Sequence, residues 1–524
     1  MAKTASRRLY DLIHRLSPSE KRYVRLHLRR DVAERPEEEP KYLRLFRSME
    51  QQEAFDDDAL AQDLYPNLER NDKKYSELKA YLYKLIVATL RSYDERSSVD
   101  YRLKNTLLDL RTLFRRGLYD HSATLLAKAE KLAARYERFD TLLELCSWKR
   151  KLFYAERTFL KNQATLEALA QREQELIDLQ EIEHRHRTLF YRTLLHLRRD
   201  VLHASSVSDF LQELPGHALL DQKRIPEGFW ARVYRLKTLS FYHYALKDYP
   251  EFHRHGRELL TLFESKRHFI VEEPGEYVAV INNHIIACGH LNRYREIEAI
   301  IEEIPKVQQL TIYEKQQAFR TYYNTKLRLL IQRGEFEEGR TLIDRQQREF
   351  AGGGLPEIRQ SSFYFRYFYI YFGTGDYDHA LDYLNRWLDL PRSAGRNDLQ
   401  SLARILQLLV HFEMENWVLL ESLLRSTDRF HAKQSAILQL ERSITGTIRT
   451  AYQLPDARAR TEVFQRLLAQ IEAVREQPDE RALLGLFDLE SWVRSQLTRQ
   501  SFGEVVRAKF TRSVSTDDEA SAYL

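Results

Sequence analysis

Histidines gather in two stretches of the chain, His184, His186, His196 and His203, then His243, His253 and His255, and imidazoles at that density raise the question of a metal centre. On a helix, ligands to one ion sit three or four residues apart. The pairs 184/186 and 253/255 are only two apart and diverge, and no cysteine or pair of carboxylates is placed to complete a set, so no metal ligand is assigned. Catalytic motifs are missing as well. There is no Gly-x-x-x-x-Gly-Lys-Ser/Thr, no Gly-x-Gly-x-x-Gly, no His-Glu-x-x-His and no Gly-x-Ser-x-Gly. Gly352-Gly353-Gly354 precedes Pro356 with no strand before it and no lysine after it, which makes it a linker turn rather than a phosphate cradle. The expectation is a non-enzymatic protein with no catalytic residue, no cofactor and no metal.

The remaining chemistry is electrostatic. Net charge is +5, yet residues 1–30 carry nine Lys or Arg against Asp11 and Glu20, a local +7 that leaves the remainder at −2. Lys21, Arg22, Arg25 and Arg29 make a cationic stripe at helical spacing, with Val24 and Leu28 on the opposite side, and they are the candidate contacts for an acidic partner. The aromatic run Phe363–Phe372 could be taken for a stacking platform, but its place just before Gly375-Asp376-Tyr377 makes it the first helix of a pair, aromatic on both core and groove sides: core packing is the default reading, and tyrosines left on the concave side would suit a peptide partner.

Elements that could carry these residues are helical. Among 524 residues there are only 17 Gly and 13 Pro, too few for the turns of a β-rich fold. A hydrophobic share of 43% argues against disorder. Two cysteines, Cys146 and Cys288, make no disulfide framework and fit a reducing, cytoplasmic setting. The N-terminus lacks a signal-peptide core, and no apolar run approaches the roughly 20 residues of a membrane span.

Ser17-Pro18-Ser19-Glu20 is a capping box that predicts a helix over 18–30. Helices over 41–52, about 57–65 and 72–93 follow, giving an irregular, basic helical N-terminal domain over 1–97. From residue 98 a phrase recurs: a helix, glycine, an aromatic two positions on and a small residue three further. Its clearest copies are Gly117-Leu118-Tyr119 with Ser122, Gly334-Glu335-Phe336 with Gly339, and Gly375-Asp376-Tyr377 with Ala380. The aromatics Tyr249, Tyr294, Phe336, Tyr377 and Trp417 are spaced by 45, 42, 41 and 40 residues, and Tyr119 lies 130 residues, three such steps, before Tyr249. The fold expected is all-α: a solenoid of about eight or nine long helix pairs over 98–476, then capping helices over 477–510 and a flexible tail over 511–524.

The glycine, aromatic and small-residue phrase resembles the helix turn of tetratricopeptide-like repeats, although the Trp-x-x-Leu-Gly opening of that family is missing and the unit, about 40–45 residues, is longer. Leu16–Tyr23, Tyr81–Ile86 and Leu90–Tyr93 look like phrases from a group of uncharacterised bacterial helical-repeat proteins, a likeness that brings no activity with it. The tetratricopeptide resemblance implies an adaptor whose concave face holds a peptide or partner helix. The expected function is therefore a protein-interaction scaffold. The alternative is a nucleic-acid-associated regulator that touches phosphates through the N-terminal helices and senses a partner through the repeats.

Overall fold

The computed structural model describes residues 7–30, 39–66, 73–94, 98–155, 163–203, 208–221, 223–351, 360–389, 397–432, 439–454, 457–475, 477, 480 and 484–521. Among these the regular elements are all helical, and no helix is long and apolar enough to cross a membrane. The linker turn expected at Gly352–Gly354 lies outside the described residues. The chain divides between Ala318 and Phe319 into two compact units.

The first unit opens with α1 (Arg8–Arg15), α2 (Pro18–Arg30), α3 (Lys41–Gln51), α4 (Asp57–Leu64) and α5 (Lys74–Asp94). The capping box forms: the Ser17 amide donates to Glu20 at 2.7 Å and the Glu20 amide to Ser17 Oγ at 3.3 Å, satisfying two amides at the open end of α2. Asp56 caps α4 by accepting from the Ala59 amide at 3.0 Å. Ile13, Val24, Leu28, Phe46, Met49, Leu82 and Ile86 close one core among these helices.

Next come α6 (Val99–Phe114), α7 (Tyr119–Arg135), α8 (Phe139–Ala155), α9 (Gln163–His203), α10 (Asp209–Glu213), α11 (Phe229–Ala245), α12 (Tyr249–Ser265), α13 (His268–Glu272), α14 (Pro274–His290) and α15 (Tyr294–Ile301). α6 packs on α7, α7 on α8, α8 on α9, α9 on α11, α11 on α12, α12 on α14 and α14 on α15. α16 (Ile312–Arg333) crosses the boundary between the units.

The second unit continues with α17 (Phe336–Ala351), α18 (Tyr364–Thr374), α19 (Tyr377–Leu388), α20 (Asn397–Glu413), α21 (Trp417–His431), α22 (Gln439–Ala451), α23 (Ala457–Val474), α24 (Leu489–Thr498) and α25 (Phe502–Ser521). The aromatic run lies on α18, where Tyr367, Phe368, Tyr369, Ile370, Tyr371 and Phe372 are all buried. Tyr367 donates to Gln346 Oε1 at 2.8 Å, and Tyr369 Oη accepts from the Asp488 amide at 2.9 Å, so both hydroxyls are paired inside the core. At the end of the unit, Asp488 caps α24, accepting from the Ser491 amide at 3.1 Å. The backbone of the segment expected as a tail is helical as far as Ser521.

One turn recurs through both units. Gly117, Glu137, Lys247, Asn292, Gly334, Gly375 and Glu415 all have positive φ, and each stands two residues before the aromatic that starts the next helix: Tyr119, Phe139, Tyr249, Tyr294, Phe336, Tyr377 or Trp417. The amide after each reaches back five residues, as in Leu118 to Leu113 at 3.1 Å, Arg138 to Ala133 at 2.9 Å, Arg293 to Cys288 at 2.9 Å and Asp376 to Tyr371 at 3.0 Å. That is a Schellman cap, which satisfies carbonyls at the helix end and needs one left-handed residue. The small residue three positions after the aromatic has a steric cause: a Cβ on Gly339 would lie 2.3 Å from Ile370 Cδ1, while Ser122 and Ala380 are fully buried. The interval from Tyr119 to Tyr249 is not three even units, however. It holds an unforeseen turn at Glu137 and then α9, a helix of 41 residues without a break.

Candidate functional site

In the first unit, α12, α14 and α15 bring four side chains with metal-ligating atoms into one cluster. His253 lies on α12, His284 and Cys288 on α14 and Glu296 on α15, and one ligand atom from each falls within 4.8 Å of the others. His284 and Cys288 are four residues apart and share a helix face. The Asn292 turn then reverses the chain and sets Glu296 in the first turn of α15, where a carboxylate also meets the positive end of the helix dipole.

A carboxylate can only accept, so both imidazoles present Nε2–H to Glu296: His284 at 2.6 Å to Oε1 and His253 at 3.0 Å to Oε2. Arg257 Nη2 donates to Oε1, and Arg293 Nη1 lies 3.7 Å from Oε2. Burial alone would raise the Glu296 pKa, but the hydrogen bonds from His284 and His253 outweigh it and hold the carboxyl down at about 2. His284 and Cys288 are fully buried, and His253 is 8% exposed. Burial pushes the Cys288 thiol up to about 12 and lowers the His284 imidazole. His284 Nδ1 is buried with no hydrogen-bond partner. It faces the backbone of Gly256, where a Cβ would stand only 2.8 Å away.

Glu296 is also the point at which this cluster meets a cavity of about 910 Å³. Leu260, Ile270, Val271, Tyr277 and Ile300 contribute apolar surface to it, and Arg257, Arg267, Arg295, Lys306, Glu264 and Glu303 contribute charges of both signs. Val271 is 53% exposed although aliphatic. The lining therefore combines apolar surface with charges of both signs in about equal measure.

The four cations singled out in the sequence sit together on α2, but they do different things. Lys21 and Arg25 approach Glu50 of α3 at 3.8 and 3.5 Å. Arg22 and Arg29 are exposed. The histidines separate in the same way. His184 is exposed, His186 is buried, and His196 stacks on Phe210 with ring centroids 4.5 Å apart. The side chain of His203 lies outside the described residues. His253 and His255 diverge as their spacing requires, His255 turning toward Glu251 and Glu258 at 3.8 and 3.7 Å. The expectation that no cysteine is placed beside these histidines is corrected: Cys288 adjoins His253, together with the single carboxylate of Glu296, because α14 packs on α12 and α15 on α14. The one local signal was His284-x-x-x-Cys288, a four-residue step on a helix. Comparison with family models, with curated proteins and with solved structures returns no match.

Proposed function

We propose that the protein is a non-enzymatic binding scaffold of tetratricopeptide-like character, an α-solenoid in which the cavity bounded by α12, α14 and α15 takes a peptide or a partner helix. The observation that carries this reading is the cavity itself: about 910 Å³, lined by Leu260, Ile270, Tyr277 and Ile300 together with charges of both signs. The apolar side chains would bury the anchors of an amphipathic segment, and the charged ones would set its direction through charge pairing. The consecutive packing of helices through Schellman turns supports the scaffold half of the proposal.

Affinity capture from the native cell with the full chain as bait, compared with the variants Val271→Asp and Ala299→Arg, tests the reading. Both positions are exposed, so the fold should survive the changes. The expected outcome is a partner held by the parent chain, lost from both variants, and cross-linked to residues of the cavity. An identical set of captured proteins for all three baits would reject the cavity as the binding surface.

The nucleic-acid alternative has less support. Two of its four cations, Lys21 and Arg25, already face Glu50, which reduces what they offer to a phosphate backbone.

A further inference from the structure

We propose that His253, His284, Cys288 and Glu296 form a resident site for a divalent transition metal of the zinc class. This inference goes beyond the scaffold reading and does not depend on it.

Two observations support the site. The donor set is mixed, two imidazole nitrogens, one sulfur and one carboxylate oxygen, which is the composition that suits zinc rather than magnesium or calcium. Next, the ligand atoms are at the right separation. Metal bonds of about 2.0–2.3 Å make tetrahedron edges of about 3.3–3.8 Å. The pairs range from the 2.6 Å of His284 to Glu296 up to an outer limit of 4.8 Å, so they bracket that edge. Small side-chain rotations therefore suffice.

Charge and protons balance. Thiolate and carboxylate together match a divalent cation. On binding, the Cys288 thiol gives its proton to solvent, and each imidazole moves its proton from Nε2 to Nδ1 so that Nε2 can ligate. Arg257 and Arg293 lie outside the ligand set and hold the Glu296 carboxylate in place, as outer-shell partners of metal ligands do. Four protein ligands leave no open coordination position, so the role is structural. The ion would pin α12, α14 and α15 to one another directly behind the cavity wall at Glu296.

The test uses the full-length chain, stripped with a chelator, desalted and titrated with Co²⁺ and then Zn²⁺. One equivalent of Co²⁺ should give the intense visible bands of tetrahedral coordination and a near-ultraviolet thiolate charge-transfer band. Zn²⁺ should displace the cobalt and raise the melting temperature. Cys288→Ala should abolish the charge-transfer band, whereas Cys146→Ser should leave it intact. Glu296→Gln, at a partly exposed position, should weaken Zn²⁺ binding by more than the roughly 10–100-fold typical of losing an outer-shell partner. Circular dichroism on every variant separates loss of the site from loss of the fold. Three results would each overturn the proposal: no saturable binding by the folded parent chain, a spectrum unchanged in Cys288→Ala, or a site that survives Cys288→Ala and disappears with His243→Gln. The last would place the ion at the neighbouring His243, Glu251 and His255 group instead.

Discussion

Buried histidines set the behaviour of the first unit toward acid. Burial is the main cause that lowers the pKa of both His186 and His255 to about 4, with Arg235 and Arg254 adding to it. In the unfolded chain both would titrate near the usual value of about 6.5. Between those limits the unfolded state binds more protons than the folded one, so stability rises with pH and is lost on acidification. Each group contributes at most about 1.4 kcal/mol per pH unit across the window. Glu296 acts in the same direction further down: its contribution is complete above its ordinary value of 4.5 and is lost as the pH falls toward about 2. Thermal unfolding at pH 7 and pH 5 should therefore give a lower midpoint at pH 5. Replacing His186 with leucine should flatten that dependence, and equal midpoints for the parent chain at both values would contradict the assignment.

At the level of elements, the Schellman turns make opposite predictions at different positions. Lys247 holds φ of 59° with a full side chain, at an exposed site. Lys247→Gly removes the left-handed penalty and should stabilise by up to about 1 kcal/mol, read as a rise in the denaturation midpoint. Gly334 holds φ of 69°, and a Cβ there would stand 2.8 Å from both the Arg507 amide nitrogen and the Gly503 carbonyl. Gly334→Ala should therefore destabilise by about 2 kcal/mol or more, through strain and by forcing α25 off the α16–α17 turn. A neutral Gly334→Ala would mean that α25 does not dock there. The contrast also explains how far the turns could be read in advance. Glycine announces them at 117, 334 and 375, whereas Glu137 gives no such notice. It is tolerated at φ of 51°, and its carboxylate accepts from the Phe229 amide and from Lys266 Nζ, which joins the α7–α8 turn to the start of α11.

For the molecule as a whole, the two functional readings make opposite demands on the basic face of α2. With Lys21 and Arg25 directed at Glu50, the full chain is expected not to retain duplex DNA even at about 50 mM salt. Salt-dependent retention that vanishes on Arg22→Glu with Arg29→Glu would instead favour the nucleic-acid reading. The all-helical character was legible because it rests on local cues: scarce glycine and proline, the Ser17–Glu20 box and the apolar spacing along each helix. The cluster at Glu296 was not. Its members come from three helices, His284 standing 31 positions after His253 and Glu296 8 positions after Cys288, and a local helical period carries no information over such intervals. The same reason hid the length of α9, since nothing in an uninterrupted helical pattern says whether a chain turns back or continues.

That length has a mechanical meaning. α9 contributes Leu169 and Leu176 to one hydrophobic core and Leu189 to another, and the step of 20 positions from Leu169 to Leu189 makes about 30 Å of continuous helix at a rise of about 1.5 Å per residue. A hydrogen-bonded rod of that kind resists both bending and torsion, so it acts as an axle clamped at two bearings. One run of hydrogen-bonded backbone thus sets the distance between the two cores that it enters.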